Sequence, residues 1–221
     1  AFQLAADGVE IVGEGTVFLV GDATLLADNY SALQTAVVDA SQVTIDNVTD
    51  TTFEMTLFGA FDTDGNDIGQ TMIGTDFDDL MEFNVGTFGD DSLDYTFDGG
   101  LGDDFYRSSA SFAYGDFTYV VDAGTDTVYW LNGEDPSQSD ADARNDVVQV
   151  AAGATLNAFV SQFGGASPNE AGFIATADSF NAGTVNITVD TSELTPGLQD
   201  GQLVLIDVSD AGGPNGYNLL G

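Results

Sequence analysis

The chain has 221 residues, enough to bury one substantial core or two small ones, and its 43% hydrophobic content is ordinary for a folded protein. Thirty-seven acidic residues stand against two basic ones, Arg107 and Arg144, and the net charge of −35 excludes nucleic acid and anionic membrane as partners, since both need a cationic surface. Cys, His and Lys are absent, which removes disulfides, zinc–thiolate sites and the usual nucleophile and base pairs of catalysis.

The N-terminal stretch opens with strand-like runs, Glu10–Val12 and Thr16–Val20, interrupted by Gly13 and Gly15. From Asp22 to about Ala40, Leu25, Leu26, Tyr30, Leu33, Val37 and Val38 fall near helical spacing, with Asp22 or Asn29 as the cap, so a helix packed on the core is expected there. Gln42–Val48 and Thr52–Phe61 alternate like paired strands. The run Asp62–Thr63–Asp64–Gly65–Asn66–Asp67 reads in two ways. Asp62 and Asp64 resemble the start of a D-x-D-x-N calcium loop, without its Gly at the sixth position or its Glu at the twelfth, and the same residues suit a hairpin with an Asp–Gly turn.

From Gly74 to about Leu131, with an echo at Asn145–Val150, one order recurs: a Gly or Asn turn, an Asp-rich corner, then a short apolar and aromatic run. The last corner acids are Asp79, Asp91, Asp104, Asp126 and Asp146, in steps of 12, 13, 22 and 20 residues. Gly permits a tight turn with positive φ, Asp brings a carboxylate to that turn, and the strand that follows can turn alternate side chains inward. Stacked corners would gather carboxylates that repel one another unless a hard cation sits among them, and carboxylate and carbonyl oxygens at turns are the ligands Ca²⁺ takes. Only seven of the acids are Glu, and this bias toward Asp favours turns and ligand loops over helix surfaces. The alternative is that the acids solvate the surface of a protein living in high salt.

Gly99–Gly100–Leu101–Gly102–Asp103–Asp104–Phe105 resembles the nonapeptide G-G-x-G-x-D-x-U-x of the RTX calcium-binding β-roll, with Asp104 on the Asp position and Phe105 or Tyr106 near the large apolar one. Gly74–Leu80 is similar to the entry repeat of such rolls, and Ala123–Val128 to a worn later one, so the likeness covers about a third of the chain. The resemblance implies secretion, Ca²⁺ held between successive turns by Asp carboxylates and Gly carbonyls, and folding on calcium outside the cell. No two units stand nine residues apart, and Phe77, Leu101 and Arg107 replace small residues, so a few ions at irregular corners are expected in place of a regular ladder.

Beyond the repeats, Gly133–Ala143 reads as an acidic loop, Thr155–Phe163 as a short helix through Leu156, Phe159, Val160 and Phe163, and Gly164–Gly172 as a second loop. Thr184–Val189 and Gln202–Val208 read as strands, the latter apolar enough to be buried on both faces, and the apolar residues Tyr217, Leu219 and Leu220 of the tail are expected to be covered, either by their own domain or by a neighbouring subunit. Trp130 with Tyr129, Tyr119 and Phe117 forms either a sugar platform or, as alternating strand aromatics commonly do, part of the core. No run approaches the roughly 18 apolar residues of a membrane span, and the first residues lack the basic and apolar regions of a signal peptide, so AFQLAADG suits a mature end left by processing.

The expected fold is mainly β, a β-roll or solenoid-like or β-sandwich body with one or two short helices. Residues 1–72 form an N-terminal β-rich region, 73–150 the calcium-binding repeats and 151–221 a C-terminal β region, unless all three make one compact domain. The expected Ca²⁺ ligands are Asp76, Asp78, Asp79, Asp90, Asp91, Asp103, Asp104, Asp122 and Asp126, with Asp62 and Asp64 as a separate site. The function expected is that of a secreted, non-enzymatic calcium-binding structural protein at the cell surface, a self-associating subunit of a surface layer, filament or adhesin, with no nucleic-acid partner and no membrane insertion. The alternatives are a calcium-stabilised carbohydrate- or ice-binding module, and a fragment of a secreted carboxylate-based hydrolase. The ice-binding reading ranks lower because Thr shows no regular strand spacing along the sequence.

Overall fold

A computed structural model describes residues 11–22, 33–44, 52–57, 59–83, 93–108, 116–129, 146–159, 171–174, 178–188, 204–213 and 216–220. Two seven-stranded sheets dominate, and all the pairings within them are parallel. The first runs, in spatial order, β1 (Ile11–Asp22), β2 (Leu33–Thr44), β6 (Gln70–Ile73), β8 (Asp94–Asp98), β10 (Asp116–Val121), β12 (Val147–Val150) and β15 (Phe180–Asn181). The second runs β3 (Thr52–Leu57), β7 (Asp78–Phe83), β9 (Phe105–Ser108), β11 (Thr125–Tyr129), β13 (Thr155–Phe159), β16 (Thr184–Thr188) and β18 (Tyr217–Leu220). From β6 to β13 the chain alternates between the sheets strand by strand, so each circuit adds one rung to both, and the body is a parallel β-solenoid. In the last circuits a strand is added between the two sheets: β14 (Ala171–Ile174) and β17 (Val204–Asp207) pair in parallel as a small sheet of their own.

The inner faces of the two large sheets share one core, and its centre is aromatic. Phe97 of the first sheet lies 4.7 Å from Phe83 and 5.4 Å from Tyr106 of the second, measured between ring centres. Along the first sheet, Tyr95 stacks on Phe117 at 5.1 Å and Phe97 on Tyr119 at 5.4 Å, because parallel in-register strands place equivalent side chains one above another. Phe117 and Tyr119 are fully buried, so they belong to the core and not to a sugar platform, while Trp130 lies outside the described residues.

No helix occurs among the described residues. The helix expected from Asp22 to about Ala40 is a strand over its described part, because Leu33–Thr44 is β2. Its buried residues Leu33, Thr35, Val38, Ala40 and Val43 alternate with slips of one residue, and the β1–β2 register shifts at the same places. Two slips in a period of two produce spacings of three, which imitate a helix. The short helix expected from Thr155 is likewise β13, where Leu156 and Ala158 point inward and Asn157 between them points out. Gln42–Thr44 and Thr52–Leu57 do not pair as expected: they lie in different sheets, and β3 pairs with β7. The loops expected at Gly133–Ala143 and across most of Gly164–Gly172 fall outside the described residues, as do the side chains of β17.

Asp62–Asp67 forms the hairpin: β4 (Ala60–Phe61) and β5 (Asp67–Ile68) pair antiparallel, with Gly65 at a φ of 84°. The Asp62 Oδ1 accepts from the backbone N–H groups of Asp64 and Asn66, and its Oδ2 accepts from the Asn66 amide at 2.7 Å. These bonds, the one from the Asn66 side chain first, hold the Asp62 carboxyl below the ordinary carboxylate range.

Removing a central ring tests the stacked core. Phe97→Ala should cost about 3–5 kcal/mol in denaturant unfolding, whereas substitution of exposed Leu101 should leave stability nearly unchanged.

Candidate functional site

Because the rungs are in register, each position along a strand defines a column through the stack. One inward column of the second sheet reads Phe53, Asp79, Asp104, Asp126, Leu156, Val185 and Tyr217. Six of these seven positions are buried, and the second to fourth of them carry aspartates. The corners before β7 and β9 make room for them. A side chain on Gly99 would collide with the Asp104 carboxylate and the Tyr106 hydroxyl, and one on Gly74 would collide with the Asp79 Oδ2 and the Gly99 carbonyl.

The carboxylates stitch neighbouring rungs together. The Asp79 N–H donates to the Asp104 Oδ1 at 2.9 Å, and the Asp104 N–H donates to the Asp126 Oδ1 at 3.0 Å. Asp79 in turn accepts from the Thr75 N–H at 2.5 Å and the Thr75 hydroxyl at 2.8 Å, and Asp126 accepts from the Tyr106 hydroxyl at 3.1 Å. The Asp104 Oδ2, fully enclosed, has no hydrogen-bond partner among the described residues. Withdrawal from water, reinforced by the neighbouring Asp charges, pushes Asp79 and Asp104 up to about 7 and Asp126 up to about 8. The same causes raise Asp98, burial first and the Asp122 charge second.

The other expected ligands are placed differently. Asp76, Asp78, Asp103 and Asp122 are exposed, as is Asp64, and Asp62 is committed to its own turn. Asp78 and Asp103 repeat the stitching on the outside, where Asp78 accepts from the Asp103 N–H and Asp103 from the Thr125 N–H at 2.7 Å. Asp90 and Asp91 lie outside the described residues. Among the described residues no three acidic side chains gather closely enough to hold a metal by themselves. A cation at the column would therefore draw on backbone carbonyls as well. Asp146, buried in the first sheet, accepts from the Phe117 N–H at 3.2 Å and occupies a corner of its own.

Sequence reasoning overlooked two outward columns on the same sheet. Thr125, Thr155 and Thr184 stand in register, and beside them Thr127, Asn157, Asn186 and Asn218 form a second line. The Asn186 amide donates to the Asn157 Oδ1 at 2.9 Å, and the Asn218 amide donates to the Asn186 Oδ1 at 2.9 Å. Threonine thus does recur regularly, but across rungs and not along the sequence. The signal is the repeated T-x-T or T-x-N that opens β11, β13 and β16.

When the chain is compared with family models, curated proteins and solved structures, nothing matches it.

The Asp column fixes the sign of a pH effect. Between the ordinary carboxylate range near 4 and the raised values of about 7 to 8, the folded chain holds protons that the unfolded chain has lost, so stability falls as pH rises through that window. Thermal unfolding in EGTA should show a midpoint that drops from pH 5 to pH 8. Asp104→Asn keeps the acceptor for the Asp79 N–H, removes one charge, and should flatten the drop.

Proposed function

We propose that the chain is a non-catalytic, extracellular structural protein of RTX-like character, a rigid solenoid whose middle rungs are held by Ca²⁺. The observation that carries this reading is the buried Asp79–Asp104–Asp126 column with the partnerless Asp104 Oδ2. A carboxylate oxygen sealed from water with no donor beside it is costly, and a hard cation relieves both that deficit and the repulsion along the column. The donors at these corners are of the kind the ion takes: the Asp104 Oδ2 beside Gly99, and the Asp79 Oδ2 and the Gly99 carbonyl beside Gly74, are all oxygens that no glycine side chain covers. When bound, Ca²⁺ supplies charge neutralisation and links adjacent rungs. Its binding energy then becomes folding energy, as befits a protein that meets abundant calcium only after export.

The expected result is a thermal midpoint that climbs with Ca²⁺ concentration up to the millimolar range, in proportion to the logarithm of free ion at high occupancy. Asp104→Asn should lose most of that climb while remaining folded in EGTA. An unchanged midpoint for the wild-type chain between EGTA and millimolar Ca²⁺ would overturn the reading.

Self-association is the second part of the proposal. Among the described residues the exposed large apolar side chains are Phe18 and Val20 on β1, Phe180 on β15, Leu220 on β18 and Leu101 at a corner. All but Leu101 sit on strands at the two ends of the stack, where parallel edges of opposite polarity suit head-to-tail pairing of copies. Deletion of Tyr217–Gly221 should abolish any calcium-dependent polymer seen by sedimentation, and a polymer that persists without β18 would remove this part.

A further inference from the structure

The strongest feature left unused is the outer face of the second sheet over its last four rungs. In a chain of 37 acids and two bases, the threonine column and the amide column beside it carry no charge from β11 to β18. The change is abrupt in the threonine column. One rung earlier that column continues as exposed Asp103 and then Asp78, whereas the amide column runs on through half-buried Phe105 and Leu80 and meets exposed Glu54 only on β3. Exclusion of acid from one patch of so acidic a surface points to an uncharged partner.

The patch also repeats. Rungs follow one another at about 4.8 Å, and positions two apart on a strand at about 6.6 Å, so hydroxyl and amide groups form a two-dimensional array. Threonine is held stiffly at χ1, which fixes both its hydroxyl and its methyl. The amides are fixed by their own chain of bonds from Asn218 through Asn186 to Asn157. Each amide keeps a second N–H and a second lone pair outside that chain. β13 and β16 offer the same threonine and asparagine pair, and Thr125 with Thr127 on β11 and Asn218 on β18 extend it by one rung each way, which suits a partner that is itself a lattice of neutral donors and acceptors. A single small molecule would use only one step of the array.

We propose that this uncharged threonine and asparagine face binds the surface of crystalline ice, whose oxygen lattice repeats on the same scale. Hydroxyl and amide groups replace water at lattice positions, and the methyl groups occupy the spaces between. Order in the side chains before contact removes much of the entropy cost of binding a rigid surface.

The test is partition of the full-length chain into slowly growing ice in Ca²⁺-containing buffer, with freezing hysteresis measured on the same sample. Wild-type protein should enter the ice and Thr155→Asp and Asn186→Asp should be excluded, each by about tenfold or more. Thr96→Asp, in the outward Thr71–Thr96–Thr118 column of the opposite sheet, should behave as wild type. Thr155→Ser, which removes only a methyl and disturbs folding least, should lower partition measurably. Circular dichroism establishes that each variant is folded. Exclusion of the wild-type chain, equal loss in Thr96→Asp, or retention on crystalline cellulose with no entry into ice would each overturn the proposal. Because the wild-type midpoint in Ca²⁺ and EGTA is measured separately, failure here is distinguishable from failure of the calcium reading.

Discussion

Stacking identical rungs in parallel register forces like upon like, and this constraint governs the rest of the molecule. For apolar side chains it is favourable: Tyr95 on Phe117 and Phe97 on Tyr119 gain contact area from every added rung. For amides it is also favourable, since each is both donor and acceptor and can bond to its neighbour on either side. For carboxylates it is adverse, because both charges and lone pairs repeat at strand spacing. The fold handles this in two ways. Asp78 and Asp103 are kept in water on the outside, and Asp79, Asp104 and Asp126 accept backbone N–H groups inside.

The interior solution is incomplete without another participant. Backbone donors satisfy one oxygen of Asp104 and leave the other bare, and the neighbouring Asp charges remain. A proton or a cation answers the deficit, and the two are competitors for the same oxygens. On the calcium reading proposed above, the strength of the middle rungs follows the surrounding solution, while the rungs on either side, where the column holds Phe53 or Leu156, are indifferent to it.

Much of the fold was legible in the residues. Gly corners followed by short alternating runs pointed to a mainly β body, solenoid-like or sandwiched, of which the solenoid is the one observed, and of Phe105 and Tyr106, both offered for the apolar position of the motif, Tyr106 is the one buried. Asp79 to Asp104 spans 25 residues and Asp104 to Asp126 spans 22, one whole circuit each, whereas the step of 20 from Asp126 to Asp146 crosses to the other sheet. Mixing half and whole circuits made the period look irregular. Two further things stayed hidden for one reason. The circuits from Asn157 to Asn186 and from Asn186 to Asn218 take 29 and 32 residues, so the loops vary while the columns hold, and register across rungs is invisible to any fixed spacing along the chain. The slips in β2 hid a strand as a helix by the same loss of period. Which acids face inward depends on one-residue parity at each corner, and that parity separates Asp103 from Asp104 and Asp78 from Asp79.

A solenoid gains its strength rung by rung, each touching chiefly its neighbours. The usual weak places of such a rod are its ends, where a rung has one neighbour instead of two. Here the acid-bearing rungs β7, β9 and β11 lie in the interior of the stack. Stripped of protons and cations, the rod has its softest point in the middle, so a pull along its axis would snap it into two folded stubs instead of fraying it from a tip.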